Sequence, residues 1–342
     1  MKRYVKVIGS TLYPVALMCI ALSATTQIQA NDRVFRIGTG GNAGTYLPIG
    51  TLIAQAVNEY ELPRVSNNKK GWMYFFLAQR SNGSAANVRE IGSGLLESGL
   101  TQSAVAHWAY LGTGPLKNSK KISNRRAIGT LYFESLHLVA STECQIRSVA
   151  DLVGRSVSVD EVGSGALLDV SPILSVYGLT GDEVKIVYLK PTDAMDRMRQ
   201  GQLDAFFIIA GYPISGVSEL VQEGNATIIS IGDAVVDKLL EAYPFFTADT
   251  IPAQTYSNTS SVSTLAVPAQ WVVDADLDDA LISNVTKALW DERTLKILAE
   301  GHPKGRAVSI KSALDGIGIP LHPGSEMYYR ELGIEIPVVS PW

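Results

Sequence analysis

The stretch FRIGTGGNAGTYLPIGTLIAQAVNEY, Phe35 to Tyr60, decides the fold class. Phe35-Arg36-Ile37 reads as a short strand that runs into the loop Gly38-Thr39-Gly40-Gly41-Asn42-Ala43-Gly44. Beyond it Ile49, Leu52, Ile53, Ala56, Val57 and Tyr60 recur at steps of three and four, the stripe of an amphipathic helix. Thr45 suits the N-cap, and Pro48 falls in the first turn, where its missing donor is harmless. Strand, glycine loop and helix in that order form the repeating unit of an α/β fold. The unit aims backbone N–H groups and a helix N-terminus at one point, which suits an anion.

A second such unit begins at Ser156-Val157-Ser158-Val159 and passes through Gly163-Ser164-Gly165 into a helix that Gly178 closes. Ser164 can serve there both as N-cap and as a ligand donor. Pro172 inside that helix predicts a kink or restart. Val184 to Leu189 reads as a strand, Thr192 to Gln200 as a short helix ended by Gly201, and Ala205 to Ile209 as a buried strand ending at Ala210-Gly211. Strands alternating with helices at this spacing indicate mostly parallel sheet.

Two longer apolar segments interrupt the pattern: AIGTLYFESLHLVAS (127–141) and TLAVPAQWVV (264–273). They bracket the second set of units, so the chain crosses out of one lobe and later returns. The expected division is lobe 1, discontinuous, over 31–130 and 270–342, and lobe 2 over 131–269 with the crossing strands. A cleft then lies between the lobes.

The chain has 342 residues, and its first 30 read as an export signal rather than part of the fold. Lys2, Arg3 and Lys6 form a basic start, Val15 to Leu22 a short apolar run, and Ile28-Gln29-Ala30 a small-residue cleavage site. The mature product would begin near Asn31 and carry 26 Lys and Arg against 33 acids, a formal charge of −7. That balance argues against nucleic acid, whose phosphates need clustered Lys and Arg. No second apolar run reaches about 18 residues, so a soluble exported protein is expected, with the bacterial periplasm its natural compartment. Loss of Cys19 with the prefix leaves Cys144 as the sole cysteine, without an internal disulfide partner.

Signs of catalysis are few. The sequence has no Gly-x-Ser-x-Gly elbow and no His-Glu-x-x-His. His107, His137, His302 and His322 lack ligand spacing, so no metal and no other cofactor is expected. Cys144 follows His137 by seven residues and reads as an inert thiol at a strand end. Gly38-x-Gly40-x-x-Ala43 fits a dinucleotide fingerprint, with Glu59 about twenty residues on. Glu59, however, ends the same helix rather than a second strand, so a dinucleotide-dependent oxidoreductase is a remote alternative. Lys69-Lys70 reads as a solvated loop.

Several segments together resemble the TAXI family, the periplasmic solute-binding subunits of tripartite ATP-independent periplasmic (TRAP) transporters. They are IGTGGNAGTYLPIG (37–50), SNGSAANV (81–88), LYFESLHLV (131–139), DLVGRSVSVDEVGSGA (151–166), GQLDAFFIIAGYP (201–213), AYPFFTADTIPAQTY (242–256) and IPLHPGSEMYYRELG (319–333). They recur in order across nearly the whole mature chain. The resemblance implies a type II periplasmic-binding-protein fold, two α/β lobes joined by two crossing strands with a ligand cleft between them. It implies no enzyme but a monomeric receptor that captures a small carboxylate, glutamate-like or a dicarboxylate, for a sodium-coupled TRAP membrane subunit. A stand-alone ligand-binding sensor is the alternative on the same fold.

Carried onto this sequence, the resemblance places Thr39, Gly40, Gly41 and Tyr46 on the ligand wall of lobe 1, with Asn82, Ser84 and Asn87. Lobe 2 supplies Gly163, Ser164 and Gly165, with Ala210, Gly211 and Tyr212 at a strand's carboxyl end. Arg80 adjoins a cleft loop and is the candidate carboxylate partner. The sequence departs from the family at Ala166, where threonine is usual, and at Leu100 and Ala106-His107-Trp108, where polar residues are usual. The Lys69–Gln79 stretch, with Trp72, Tyr74, Phe75 and Phe76, is unusual as well. Those departures imply a bulkier or more apolar solute, with His107 and Trp108 in the cleft.

Overall fold

The structure, a computed structural model, describes residues 32–60, 62, 73–179, 182–257 and 260–338. The signal-peptide reading, its junction near Asn31 and the Lys69-Lys70 loop lie outside them. The first half of the chain runs β1 (Asp32–Gly38), α1 (Tyr46–Glu59), β2 (Met73–Gln79), α2 (Ser84–Gly92), β3 (Ser98–Gln102) and α3 (Ser103–Leu111). Then come β4 (Arg125–Ser141), β5 (Ser156–Ser158), α4 (Ala166–Val176), β6 (Lys185–Val187), α5 (Pro191–Arg199), β7 (Ala205–Ala210) and α6 (Ser215–Gln222). The remainder is β8 (Ala226–Ile229), α7 (Asp233–Ala242), β9 (Thr247–Ile251), β10 (Val262–Asp274), α8 (Asp279–Leu289), α9 (Glu292–Gly301) and α10 (Pro323–Glu331).

The strands form one mixed sheet in the order β2-β1-β3-β10-β4-β7-β5-β6, with β8 added to β4 and β9 to β10. β4 and β10 lie antiparallel at its centre and are the two crossing strands expected at 127–141 and 264–273. At about 3.3 Å per residue, the 17 residues of β4 reach roughly 55 Å, more than one lobe needs. Both strands change partners midway. β10 pairs with β9 over Val262–Ala266 and with β3 over Ala269–Val273. β4 pairs with β10 up to Ser135 and with β7 from Ser135 onward.

Burial follows the same division. One core gathers Phe35, Ile37, Ile53 and Leu131 with Trp271, Leu289 and Tyr329. A second gathers Leu138, Val157, Ile173, Phe207 and Phe245, and a third Met195, Phe206, Ile208 and Leu220. The neighbours Phe206 and Phe207 fall in different cores because successive strand residues face opposite ways, and β7 is covered on both faces. The molecule thus has two α/β lobes joined by the two crossing strands. α4 runs through Pro172 as one helix rather than restarting. Asp169, Val170 and Ile173 are buried around the proline, and that packing holds the turn.

Candidate functional site

Four helices begin around one cavity of about 380 Å³. Thr45 and Tyr46 open α1, Gly83 and Ser84 open α2, Gly165 and Ala166 open α4, and Pro191 and Thr192 open α5; all eight residues line it. Each helix start leaves backbone N–H groups without intrahelical partners and carries the positive end of a dipole. The rest of the lining includes the Gly40–Gly44 loop, the cations Arg80 and Lys190, and the acids Glu134, Asp160 and Glu161. Ile208 and Ile209 of β7 give it an apolar side.

Of the residues expected at the site, Gly40, Gly41, Tyr46, Arg80, Asn82, Ser84, Ser164 and Gly165 line this cavity. The others stand elsewhere. Thr39 Oγ1 donates to the Gln79 carbonyl at 2.8 Å, tying the loop to β2. Asn87 Nδ2 donates to the carbonyls of Thr39 and Leu100, both at 2.7 Å. A Cβ at Gly38 would approach Asn87 Oδ1 to 2.5 Å, so glycine there makes room for the brace. Gly163, with φ near 99°, accepts the Ala86 N–H at 2.9 Å through its carbonyl. Ala210, Gly211 and Tyr212 stand just outside the lining. The Gly211 N–H donates to Thr45 Oγ1 at 2.8 Å, and Lys304 Nζ lies 4.4 Å from the Tyr212 ring centroid.

The expectation that His107 and Trp108 face the solute is corrected. His107 is buried with Nδ1 3.0 Å from the Gly318 carbonyl oxygen. Trp108 joins the second core, edge-on to Phe245 with centroids 4.9 Å apart. Leu100 belongs to the first core. Helix α3 is buried over most of its surface, so its polar-looking positions serve packing between the two halves. Thr45 occupies the N-cap position as expected, but its hydroxyl serves Gly211 rather than its own helix.

Sequence reasoning missed the acids. Glu134 lies on β4 where that strand pairs with Val267 of β10, and it is only 2% exposed. Burial pushes its carboxyl up to about 8, although Tyr46 and Gln102 bond it and Lys304 pulls the other way. Asp160 holds a left-handed φ of 72° and is pushed up to about 7 by burial, with its carboxylate bonded to the Glu161 N–H at 2.7 Å. Burial likewise raises Glu161 and, well above the usual range, Asp169 of α4. The signal available was a lone acid in the apolar run LYFESLHLV, which also fits a strand edge facing water.

The two sides of the cavity touch. Asn82 Nδ2 donates to the Val162 carbonyl at 3.2 Å. Ser84 Oγ accepts the Gln102 N–H at 3.1 Å and stands 3.3 Å from Tyr46 Oη. Opposite, Ser164 stands one position before the N-cap, which is Gly165, and its Oγ accepts the Leu167 N–H at 3.2 Å and also bonds Asp160. Changing Ser164→Ala is therefore expected to act twice. Stability should fall by about 1 kcal/mol with the bond to the Leu167 N–H, and solute affinity by about 1–3 kcal/mol with the polar partner. Calorimetric titration beside a melting curve on the same variant separates the two, and an unchanged affinity would leave Ser164 with the helix-start bond alone.

Cys144 and His137 each have a partner of their own. Cys144 Sγ donates to Asp204 Oδ1 at 2.9 Å, while His137 Nε2 meets Tyr256 Oη at 2.8 Å. The His302 and His322 rings accept backbone N–H groups of Lys304 and Gly324. Among the described residues, no group of three His, Cys, Asp or Glu could hold a metal ion. Nor is any described helix long and apolar enough to cross a membrane.

A ten-stranded sheet crossed twice, with one polar cavity where helix starts converge, defines the two-lobed fold of the periplasmic binding proteins. The chain belongs to the NMT1-like family, whose model matches residues 37–333. Its fold is shared with MatC from Rhodopseudomonas palustris, solved with bound malate, at TM-score 0.50 and 10% identity, covering 88% of this chain and 97% of that one. A structure from Bordetella bronchiseptica RB50 matches at TM-score 0.52 and 16% identity, covering 90% and 91%. The periplasmic aliphatic sulphonate binding protein SsuA from Escherichia coli is similar at TM-score 0.45 and 14% identity, covering 90% of each.

Proposed function

We propose that this protein is a periplasmic solute receptor of the TAXI type that captures a small amino acid, glutamate-like, for a sodium-coupled TRAP membrane subunit. The lobes of the reading are 31–130 with 270–342, and 131–269. One observation carries it: four helix N-termini with Arg80 and Lys190 surround a cavity that the buried acid Glu134 also lines. The helix starts and cations suit a carboxylate, and Glu134 suits an ammonium. A zwitterion satisfies both, and a neutral sugar neither. Closure follows from ligand bridging both sides, since only the closed arrangement makes both sets of contacts.

A dicarboxylate is the second reading, and MatC carries malate on this fold. The pH dependence of affinity separates the two. Glu134 of the free protein ionises near 8. An ammonium ligand needs it ionised, so binding displaces a proton and affinity rises up to about tenfold per pH unit until about pH 8. A dicarboxylate needs the protonated form and binds more weakly as pH rises past 8. Amino acids and C4–C6 dicarboxylates should be screened by thermal shift, then titrated across this range. A saturating ligand at a hundredfold excess over Kd adds about 2.7 kcal/mol, several degrees for a chain of this size. A shift with sugars or NAD and none with any acid would overturn the reading. A membrane-subunit gene beside this one favours transport over the sensor role.

A further inference from the structure

The solute cavity uses only the N-terminal end of α2. A flank of the same helix, the end of α3 and the 112–124 connection enclose a second cavity of about 590 Å³. Val88, Ala109, Leu116 and Ile122 give it a mainly apolar lining. Arg89, Lys120 and Lys121 line it as exposed cations, and none of its described lining residues is Asp or Glu. A further cation backs the apolar wall. Arg125 is fully buried, and its guanidinium donates to the carbonyls of Val88, at 2.7 Å, and Ile122. Burial lowers it to about 10, which leaves it charged at neutral pH. In a chain whose acids outnumber its Lys and Arg, this concentration of one sign around an apolar space is local. It also contrasts with the solute cavity, where Glu134, Asp160 and Glu161 stand among the lining.

We propose that this second cavity is a binding site for an anionic amphiphile, a monocarboxylate carrying an acyl chain. The volume lies in the range of small-molecule sites. The chain would displace water from Val88, Ala109, Leu116 and Ile122, and the carboxylate would stay at the mouth between Lys120 and Lys121. Long lysine side chains reach such a head while remaining hydrated. A neutral apolar ligand leaves the cations unused, and a compact inorganic anion leaves the apolar volume unfilled. An acidic peptide would engage the cations from outside without entering. The solute cavity cannot take this ligand on the same terms, because an acyl chain would desolvate its acids.

The test uses the full mature chain with sodium decanoate, n-octanol and decyltrimethylammonium, each below its micelle concentration, in calorimetric titrations. Decanoate should bind at one site per chain, with the neutral and cationic probes at least tenfold weaker. The double variant Lys120→Glu/Lys121→Glu changes two exposed side chains. It should weaken decanoate roughly tenfold or more at low salt and leave melting unchanged. Equal binding of all three probes, or decanoate binding indifferent to the charge reversal, would reduce the cavity to a non-specific apolar surface. Loss of decanoate binding on Arg80→Ala, with the charge reversal silent, would put the probe in the solute cavity and overturn the proposal. Binding of an acidic peptide in place of decanoate would overturn it too.

Discussion

Changing Glu134→Gln is expected to weaken amino-acid binding by roughly 2–5 kcal/mol and to flatten the rise of affinity with pH. The loss is large because Glu134 lines the cavity yet is only 2% exposed, so little water can replace it as a partner for an ammonium. The same variant reports on folding with the opposite sign. In the native protein the Glu134 carboxyl is raised from 4.5 to about 8, so between those values the folded state holds a proton that the unfolded chain releases. Stability from this group is complete below about pH 4.5 and is lost as pH rises through 8, falling by about 1.4 kcal/mol for each pH step between the two. Glutamine does not titrate. The variant should therefore melt higher relative to the native protein at pH 8 than at pH 5. Equal affinity across pH 6–8 for native and variant chains would remove Glu134 from recognition.

Gly165→Val is expected to abolish closure while sparing each lobe. The backbone φ of −78° at this position accepts any residue, so the effect comes from space across the cleft. A Cβ there would collide with Gln102 Oε1 and come within 2.7 Å of Ser84 Oγ. Both side chains are buried, and Ser84, Gln102 and Tyr46 are bonded into one network with Glu134, so neither can swing aside freely. Overpacking of this kind typically costs about 1–3 kcal/mol, and a clash this close lies at the upper end, in the closed state. Solute affinity should fall by over a hundredfold, and small-angle scattering should show no compaction on adding ligand. Melting should stay close to native, since the clash lies between the lobes. Retained affinity within a few-fold would show that Gln102 yields and that the cleft does not close through this contact.

The same contact explains why one glycine was legible and its reason was not. Gly163-Ser164-Gly165 before a helix is a local pattern, and its backbone geometry is locally dictated. What stands opposite Gly165 comes from the end of β3, 63 positions away, and no local pattern carries that. Ser164 was readable for the first reason, while Tyr46 and Ser84 were implied only by the family resemblance. All three sit at helix starts, where side chains point toward whatever the helix ends face.

His107 and Trp108 failed for the complementary reason. A His-Trp pair in place of polar residues looks like a change of ligand chemistry, yet α3 is buried over most of its length and both rings are taken up by packing. Glu134 failed through its surroundings. One acid in an alternating apolar run is the pattern of a half-exposed strand, whereas β4 pairs with β10 at the centre of the sheet and Glu134 lines the cavity there.

By itself the sequence determined the strand–loop–helix order, the two long strands that cross between lobes and the glycines that open the helices toward one place. Those features depend on periodicity, on φ freedom and on helix ends, all local along the chain. Only the tertiary structure decided the charge of the cavity, the burial that raises Glu134 and Asp160, and which helix starts converge. The charge state of a buried group depends on the solvent excluded around it and on neighbours in space, and closing the sheet brings those together from residues more than a hundred positions apart.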